Sequence, residues 1–295
     1  MKKQLIGSLY LVIAVLIWGS TFVAQSVGMD KVGPFTFLTC RCVLAVAFLV
    51  PAIAVFELRD LKNYFKKWLD KKLWFAGLLC GIALFCASSL QQIGLVYTDA
   101  GKAGFLTALY VVLVPVIGLF FGKKLRVNIV LSIVLAVAGS YFLANMQNGS
   151  IHTADLMLLG CALCFSIQIT LVDRYAPIVD SLRLNCIQCL VTMVLSAFAM
   201  FLAEKPQMDA ITDCAFPIAY AGVLSMGVAY SLQILGQNKV EPTTASIIMS
   251  MESVVAVFSG WLILNERMSG KELLGCALMF LALILSQLPF TRKQA

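Results

Sequence analysis

The sequence predicts an all-α membrane protein of ten transmembrane helices, arranged as two inverted five-helix repeats. Three observations predict it. Of the 295 residues, 61% are hydrophobic and only 13% charged, more apolar surface than a soluble domain can bury. Ten apolar segments, each near the ~20 residues that cross a hydrocarbon core, fill the chain with short polar breaks between them. The order of segments in the first half returns in the second, which divides the chain into repeats at 1–146 and 147–295.

The segments fall at 5–27, 34–56, 73–96, 101–121, 127–146, 154–173, 181–203, 214–236, 242–264 and 271–290. The first follows Lys2-Lys3 and imitates a signal peptide. Its apolar run exceeds the ~7–15 residues of such a leader and no small-x-small site ends it, so it reads as an uncleaved helix. Pro34 opens the second segment and Pro242 the ninth, where a missing N–H costs no hydrogen bond. Pro115 lies inside the fourth, where it is expected to kink the helix. Trp68 and Trp74 flank the start of the third as interfacial anchors. The basic run 57–72 reads as a solvated loop facing lipid headgroups. The ten cysteines lie almost wholly in apolar segments and act as small hydrophobic filler, so no metal ligand set is expected.

Charge sets the orientation. With the N-terminus inside, sixteen lysines and arginines fall in cytoplasmic segments and five in outer ones, with Arg41 within a span. Both termini are then cytoplasmic in a cell-membrane protein. The net charge of +7 is explained by that retention, and no nucleic-acid partner is called for; the partners expected are the lipid bilayer and a small-molecule solute.

The repeat is faint in residues and clear in order. TDAGKAGFL at 98–106 resembles VEPTTASII at 240–248, 142 residues on, and GKKL at 122–125 meets NERM at 265–268. An odd number of spans per half reverses the second copy, the arrangement in which secondary transporters place a solute near the midplane.

Chemistry concentrates on that midplane. Glu252 lies ten residues from Pro242 and twelve from Leu264, at a depth where a carboxylate costs ~2.5–3.5 kcal/mol or more and so faces a bundle interior or watery cavity. Arg41 is the basic residue within a span, and partial charge pairing between the two is expected. Polar side chains recur at helical spacing: Trp18, Thr21 and Gln25 in the first segment, Asn185, Gln188 and Thr192 in the seventh, Tyr230, Gln233 and Gln237 in the eighth. Ser88 and Gln92 in the third, Thr107 and Tyr110 in the fourth, and Gln168 in the sixth join them. For one residue, interhelical bonding explains this as well as solute contact; for the set, a polar cavity explains it better. From it the candidate solute-binding residues are Trp18, Thr21, Gln25, Arg41, Gln92, Thr107, Tyr110, Gln168, Gln188, Tyr230, Gln233 and Glu252. Gly77 and Gly81 form a GxxxG pair for close helix packing. Gly118 to Lys123 lacks the length and hydroxyl of a phosphate loop, so no nucleotide cofactor follows. Asn148-Gly149-Ser150 is a turn rather than a glycosylation site.

Trp18-Gly19-Ser20-Thr21-Phe22, Arg41 early in the second helix, and the run 242–275 together resemble the drug/metabolite transporter superfamily, in its ten-helix EamA type. The resemblance spans the whole chain. It implies two inverted five-helix halves, cytoplasmic termini, a central cavity among spans one to four and six to nine, and export of small metabolites, amino acids or drugs. Two departures stand out. Ser253 occupies the position after the glutamate where the family often has proline, which predicts a less bent ninth helix. Lys123-Lys124 stands where the second half keeps Glu266-Arg267.

The expected function is secondary transport, outward in the family's manner, of small metabolites such as amino acids or related organic solutes by alternating access. Glu252 would bind a cationic group or carry a coupling proton or cation, and Arg41 would meet an anionic group. A lipid-intermediate flippase of the same fold is the alternative. An intramembrane enzyme is the rival from another class, but it lacks a nucleophile–base or metal constellation: His152 is the sole histidine and lies in a loop.

Overall fold

A computed structural model describes residues 2–57, 61–98, 100–122, 126–143, 152–263 and 269–288. Arg59, Lys123-Lys124, Asn148-Gly149-Ser150, Glu266-Arg267, Arg292 and Lys293 lie outside the described residues. The described chain is helical, in the order α1 (Lys2–Met29), α2 (Pro34–Phe56), α3 (Leu61–Trp68), α4 (Lys71–Val96), α5 (Ala100–Ala108), α6 (Tyr110–Phe120), α7 (Val127–Leu143), α8 (Thr153–Tyr175), α9 (Ser181–Ala203), α10 (Met208–Asp213), α11 (Ala215–Ala219), a π-helix (Tyr220–Ala229), α12 (Tyr230–Gln237), α13 (Pro242–Ser250), α14 (Glu252–Ile263) and α15 (Gly270–Gln287). Among the described residues, eight helical stretches are long and apolar enough to cross a membrane. Two further helices, α7 and α15, lie antiparallel against each other, with the amide of Asn128 3.4 Å from the carbonyl oxygens of Leu285 and Leu288. Gly139 meets the backbone of Gly275 at the other end of that pair.

The remaining helices form a bundle in which α4 packs on α8 and α9, α2 on α9 and the π-helix, and α1 on α14, α12 and the π-helix. Small residues permit the closest approaches. A Cβ on Gly77 would sit 2.4 Å from Ile187, and one on Gly81 would sit 2.6 Å from Val191, so the GxxxG pair seats α4 directly on α9. Gly222 and Gly227 do the same for the π-helix against Arg41, Leu44 and Phe48 of α2. Polar contacts tie the loops at each end. At one end Arg183 meets Glu57 at 2.6 Å; at the other Lys102 meets Asp155 at 2.7 Å.

One expectation needs correction. Residues 61–68 of the basic run are helical, not loop. They spell Leu-Lys-Asn-Tyr-Phe-Lys-Lys-Trp, an amphipathic pattern. Trp74 donates its indole N–H to the Trp68 carbonyl at 2.7 Å, joining that helix to the start of α4. The fourth span is interrupted at Leu109, between α5 and α6, while Pro115 sits within α6. The ninth span is interrupted too, at Met251, although Ser253 replaces proline. The break at Met251 therefore forms without an internal proline.

Candidate functional site

The interruptions build the site. Leu109 and Met251 are 142 residues apart, the spacing of the sequence repeat, and each ends its helix on an i→i+3 hydrogen bond, to Leu106 and to Ile248. Immediately after each break a new helix begins, with Tyr110 leading α6 and Glu252 leading α14. The Tyr110 hydroxyl donates to Glu252 Oε1 at 3.0 Å. An N-terminal turn favours a carboxylate through its unpaired N–H groups and dipole. Ser253 joins the two spans by donating to the Gly104 carbonyl at 3.3 Å.

Around this pair lies a narrow cavity with about 40 Å³ of room for water-sized molecules. Trp18, Thr21, Phe22 and Gln25 of α1 form one wall, with Arg41 of α2 and Gln91 of α4 beside them. Phe165, Gln168 and Ile169 of α8 face them, and Ser225, Tyr230 and Gln233 close the side made by the π-helix and α12. Met249 lines it one turn before Glu252. Trp18 packs edge-on to Tyr230 with ring centres 4.9 Å apart. Glu252 is the one carboxylate and Arg41 the one cation among the described lining residues.

Arg41 is buried and donates from Nη1 to Gln25 Oε1 at 2.9 Å, with its guanidinium 6.0 Å from the Phe37 ring centre. The partial pairing expected with Glu252 is not formed as a direct contact: no ion pair joins Arg41 to a carboxylate among the described residues. The cavity therefore holds an acid and a base at separate points, each free of direct neutralisation by the other.

Trp18, Thr21, Gln25, Arg41, Tyr110, Gln168, Tyr230, Gln233 and Glu252 all line this one space. Gln92, Thr107 and Gln188 do not. Gln92 turns to the sulfur of Met29 at 3.4 Å, and Thr107 lies 3.9 Å from the Cys161 sulfur. Gln188 stands behind the wall, accepting from Gln168 at 3.2 Å. The sequence reading missed Gln91, where a step of one residue changes the helix face, and Ser225, which sits in π-helical backbone. Phe22, Phe165, Ile169 and Met249 carry no signal that separates lining from core. No cluster of metal-ligating side chains occurs among the described residues.

The model of the EamA-like transporter family matches residues 5–145 and again 152–288. An uncharacterized transporter of Archaeoglobus fulgidus is 31% identical over 97% of this chain and 87% of its own. The uncharacterized transporter YoaV of Bacillus subtilis is 22% identical over the full length of both, and the protein PagO of Salmonella typhimurium is 24% identical over 99% of this chain and 97% of its own. A solved crystal structure superposes with a TM-score of 0.79 over 95% of this chain and 96% of that one; at 19% identity this shows the fold alone. Matched by the family model in both halves and by a relative across nearly its whole length, this chain is a multi-pass membrane protein that belongs to the EamA-like transporter family.

Proposed function

We propose that the chain is a secondary transporter that exports a small organic solute, of the amino-acid kind, by alternating access about the midplane cavity. The observation that carries this reading is the cavity itself, in which Glu252 and Tyr110 meet at the breaks of two equivalent helices while Arg41 of α2 stands unpaired to the acid. A solute with an ammonium group would meet Glu252, and one with a carboxylate would meet Arg41; a zwitterion uses both. Trp18, Thr21, Gln25, Tyr110, Gln168, Tyr230 and Gln233 complete its contacts, and a coupling proton or cation would be exchanged at Glu252.

The ten helices, in inverted halves at 1–146 and 147–295, supply the moving parts. Exchanging first-half helices for their second-half counterparts turns the α4·α8 contact into the contact of the π-helix and α12 with α1. It likewise turns α4·α9 into the π-helix against α2, and returns α7·α15 and α2·α9 to themselves. The self-paired contacts are antiparallel, as a two-fold axis in the membrane plane requires. The same relation appears at the ends of α2 and α9. Glu57, ending α2, binds Arg183 in the first turn of α9. Glu204, 147 residues later and ending α9, accepts from the backbone of Phe35 and Thr36, both at 2.8 Å, and from the Thr36 hydroxyl at 2.6 Å, in the first turn of α2.

Flux tests the function. In vesicles holding the purified chain, a panel of amino acids and related amines should include at least one whose efflux exceeds that of empty vesicles and saturates. A panel with none would remove the transporter reading. The topology, with both termini and residues 57–72 in the cytoplasm of a plasma-membrane protein, is tested separately. Phe65→Cys, in a chain without native cysteines, should react with an impermeant thiol reagent in inside-out vesicles and be silent in intact cells; labelling from outside would reverse it.

A further inference from the structure

A chain of four buried amides runs from the cavity wall into the bundle. Gln233 donates from Nε2 to Gln168 Oε1 at 3.1 Å. Gln168 donates to Gln188 Oε1 at 3.2 Å, and Gln188 donates to Asn185 Oδ1 at 2.9 Å. Asn185 donates in turn to the carbonyls of Met226 and Gly227, both at 3.0 Å, and to the Ser231 hydroxyl at 2.9 Å. Each of the four side chains is 2% exposed or less, so water does not substitute for a lost partner.

The direction of this chain is set at its inner end. In the π-helix the backbone pairs i→i+5, as in the bond from the Tyr230 N–H to the Ser225 carbonyl. Where that pattern returns to i→i+4, a carbonyl is left without an amide partner. Backbone carbonyls accept and cannot donate, so Asn185 must turn its NH₂ toward Met226 and Gly227 and its oxygen toward Gln188. Gln188 must then donate to Asn185 and accept from Gln168, and the same constraint passes to Gln233. Flipping Gln168 or Gln188 sets oxygen against oxygen and nitrogen against nitrogen in a dry site, losing two hydrogen bonds at once, and flipping Gln233 sets its oxygen against that of Gln168 and loses one. At the cavity end, Gln233 Oε1 is left without a partner among the described residues.

We propose that Asn185 is a positioning residue which, through Gln188 and Gln168, fixes the amide of Gln233 so that the cavity presents a carbonyl oxygen there and selects a solute carrying an N–H donor. The proposal rests on the transport reading and deepens it: charge attraction to Glu252 admits any cation, whereas an acceptor fixed at Gln233 distinguishes a primary ammonium from a quaternary one. The aromatic walls of Trp18, Phe165 and Tyr230 suit an aromatic body on the same solute.

Calorimetry on the full-length protein in nanodiscs tests this with two probes of equal charge, phenethylamine and trimethyl(2-phenylethyl)ammonium. The wild type should bind the primary amine about tenfold more tightly, the worth of one hydrogen bond from a charged donor. Gln233→Met removes this acceptor and should lower the ratio several-fold. Asn185→Asp touches no solute and keeps the side-chain shape, yet removes the N–H groups that set the direction, and it should lower the ratio as well. Glu252→Gln should weaken both probes and leave their ratio in place. Equal affinity in the wild type, no binding of the primary amine, or a ratio unchanged in Gln233→Met overturns the proposal. The Gln233 variant serves even where Asn185→Asp fails to fold. Saturable flux of other solutes in vesicles would leave the transport reading standing after such a failure.

Discussion

Replacing Glu252 with glutamine should cut solute flux by about tenfold to a hundredfold while the protein inserts and melts close to the parent. The size follows from the loss of the charge attraction to a cationic solute, up to ~4 kcal/mol for unit charges about 4 Å apart at an effective dielectric near ~20 and less when screened, because Glu252 is the one carboxylate among the described cavity residues. Stability should change little. Glutamine keeps the volume and still accepts from the Tyr110 hydroxyl, now 3.0 Å from Oε1, and no salt bridge among the described residues is broken. Flux should also lose its dependence on pH in the range where a carboxylate exchanges a proton, since Arg41 and the phenols of Tyr110 and Tyr230 are the other titratable groups in the lining. Purified variant and parent, compared for flux across a pH series and for melting temperature, supply the measurement. Normal flux with the parent's pH profile would make Glu252 a structural residue. A collapse of melting temperature would make it a packing residue and leave its solute role without support.

The part of this site that the sequence makes legible is the part that polarity marks. In lipid a carboxylate, an arginine or an amide stands out because it costs free energy unless it finds a partner or water. Trp18, Thr21 and Gln25 therefore declare a face of α1, and Glu252 declares the middle of its span. The segment edges are legible for a similar reason, and the apolar run 34–56 returns as Pro34–Phe56 without change. Polarity does not say which partner is found. Gln92 and Thr107 meet sulfur atoms, and Gln188 binds two other amides, contacts that helical spacing alone represents equally well as cavity lining. Backbone departures are the other blind spot. Nothing in Leu109 or Met251 disfavours a helix, and the proline that does, Pro115, sits six residues further along. The π-helix over Tyr220–Ala229 shifts every later side chain of that span relative to a 3.6-residue period, so Ser225 could not be placed by counting.

The clamp between Glu57 and Arg183 should contribute more to stability than any other surface-reaching contact in the bundle. Arg183 is fully buried, with its guanidinium 5.2 Å from the ring centres of both Tyr64 and Trp68. It donates to the two oxygens of Glu57 at 3.1 and 2.6 Å, and Lys67 reaches Glu57 Oε1 at 2.6 Å. One acid thus ties the end of α2 to α3 and to the start of α9. Removing one partner of a fully buried pair costs ~3–5 kcal/mol by leaving a charge unpaired. Here the Glu57 side chain is 20% exposed and Asp180 remains 3.5 Å from Arg183, so Glu57→Gln should cost about 2–3 kcal/mol. The related substitution at the opposite end, Glu204→Gln, keeps an accepting oxygen for the first turn of α2 and should cost about 1 kcal/mol, as a weakened helix cap does. Acid provides an independent check. The hydrogen bonds from Arg183 and then Lys67 hold the Glu57 carboxyl down at about 2, against an ordinary value of 4.5. A carboxyl with a lowered folded-state pKa stabilises the protein above the ordinary value, and that stability drains away as the pH falls from there through the lowered one. Melting temperature in detergent, followed from about pH 6 to about pH 2.5, should therefore fall more steeply for the parent than for Glu57→Gln, and the two curves should converge at the acid end. Parallel curves, or a Glu204→Gln variant less stable than Glu57→Gln, would mean that the buried arginine is held by its aromatic neighbours rather than by the acid.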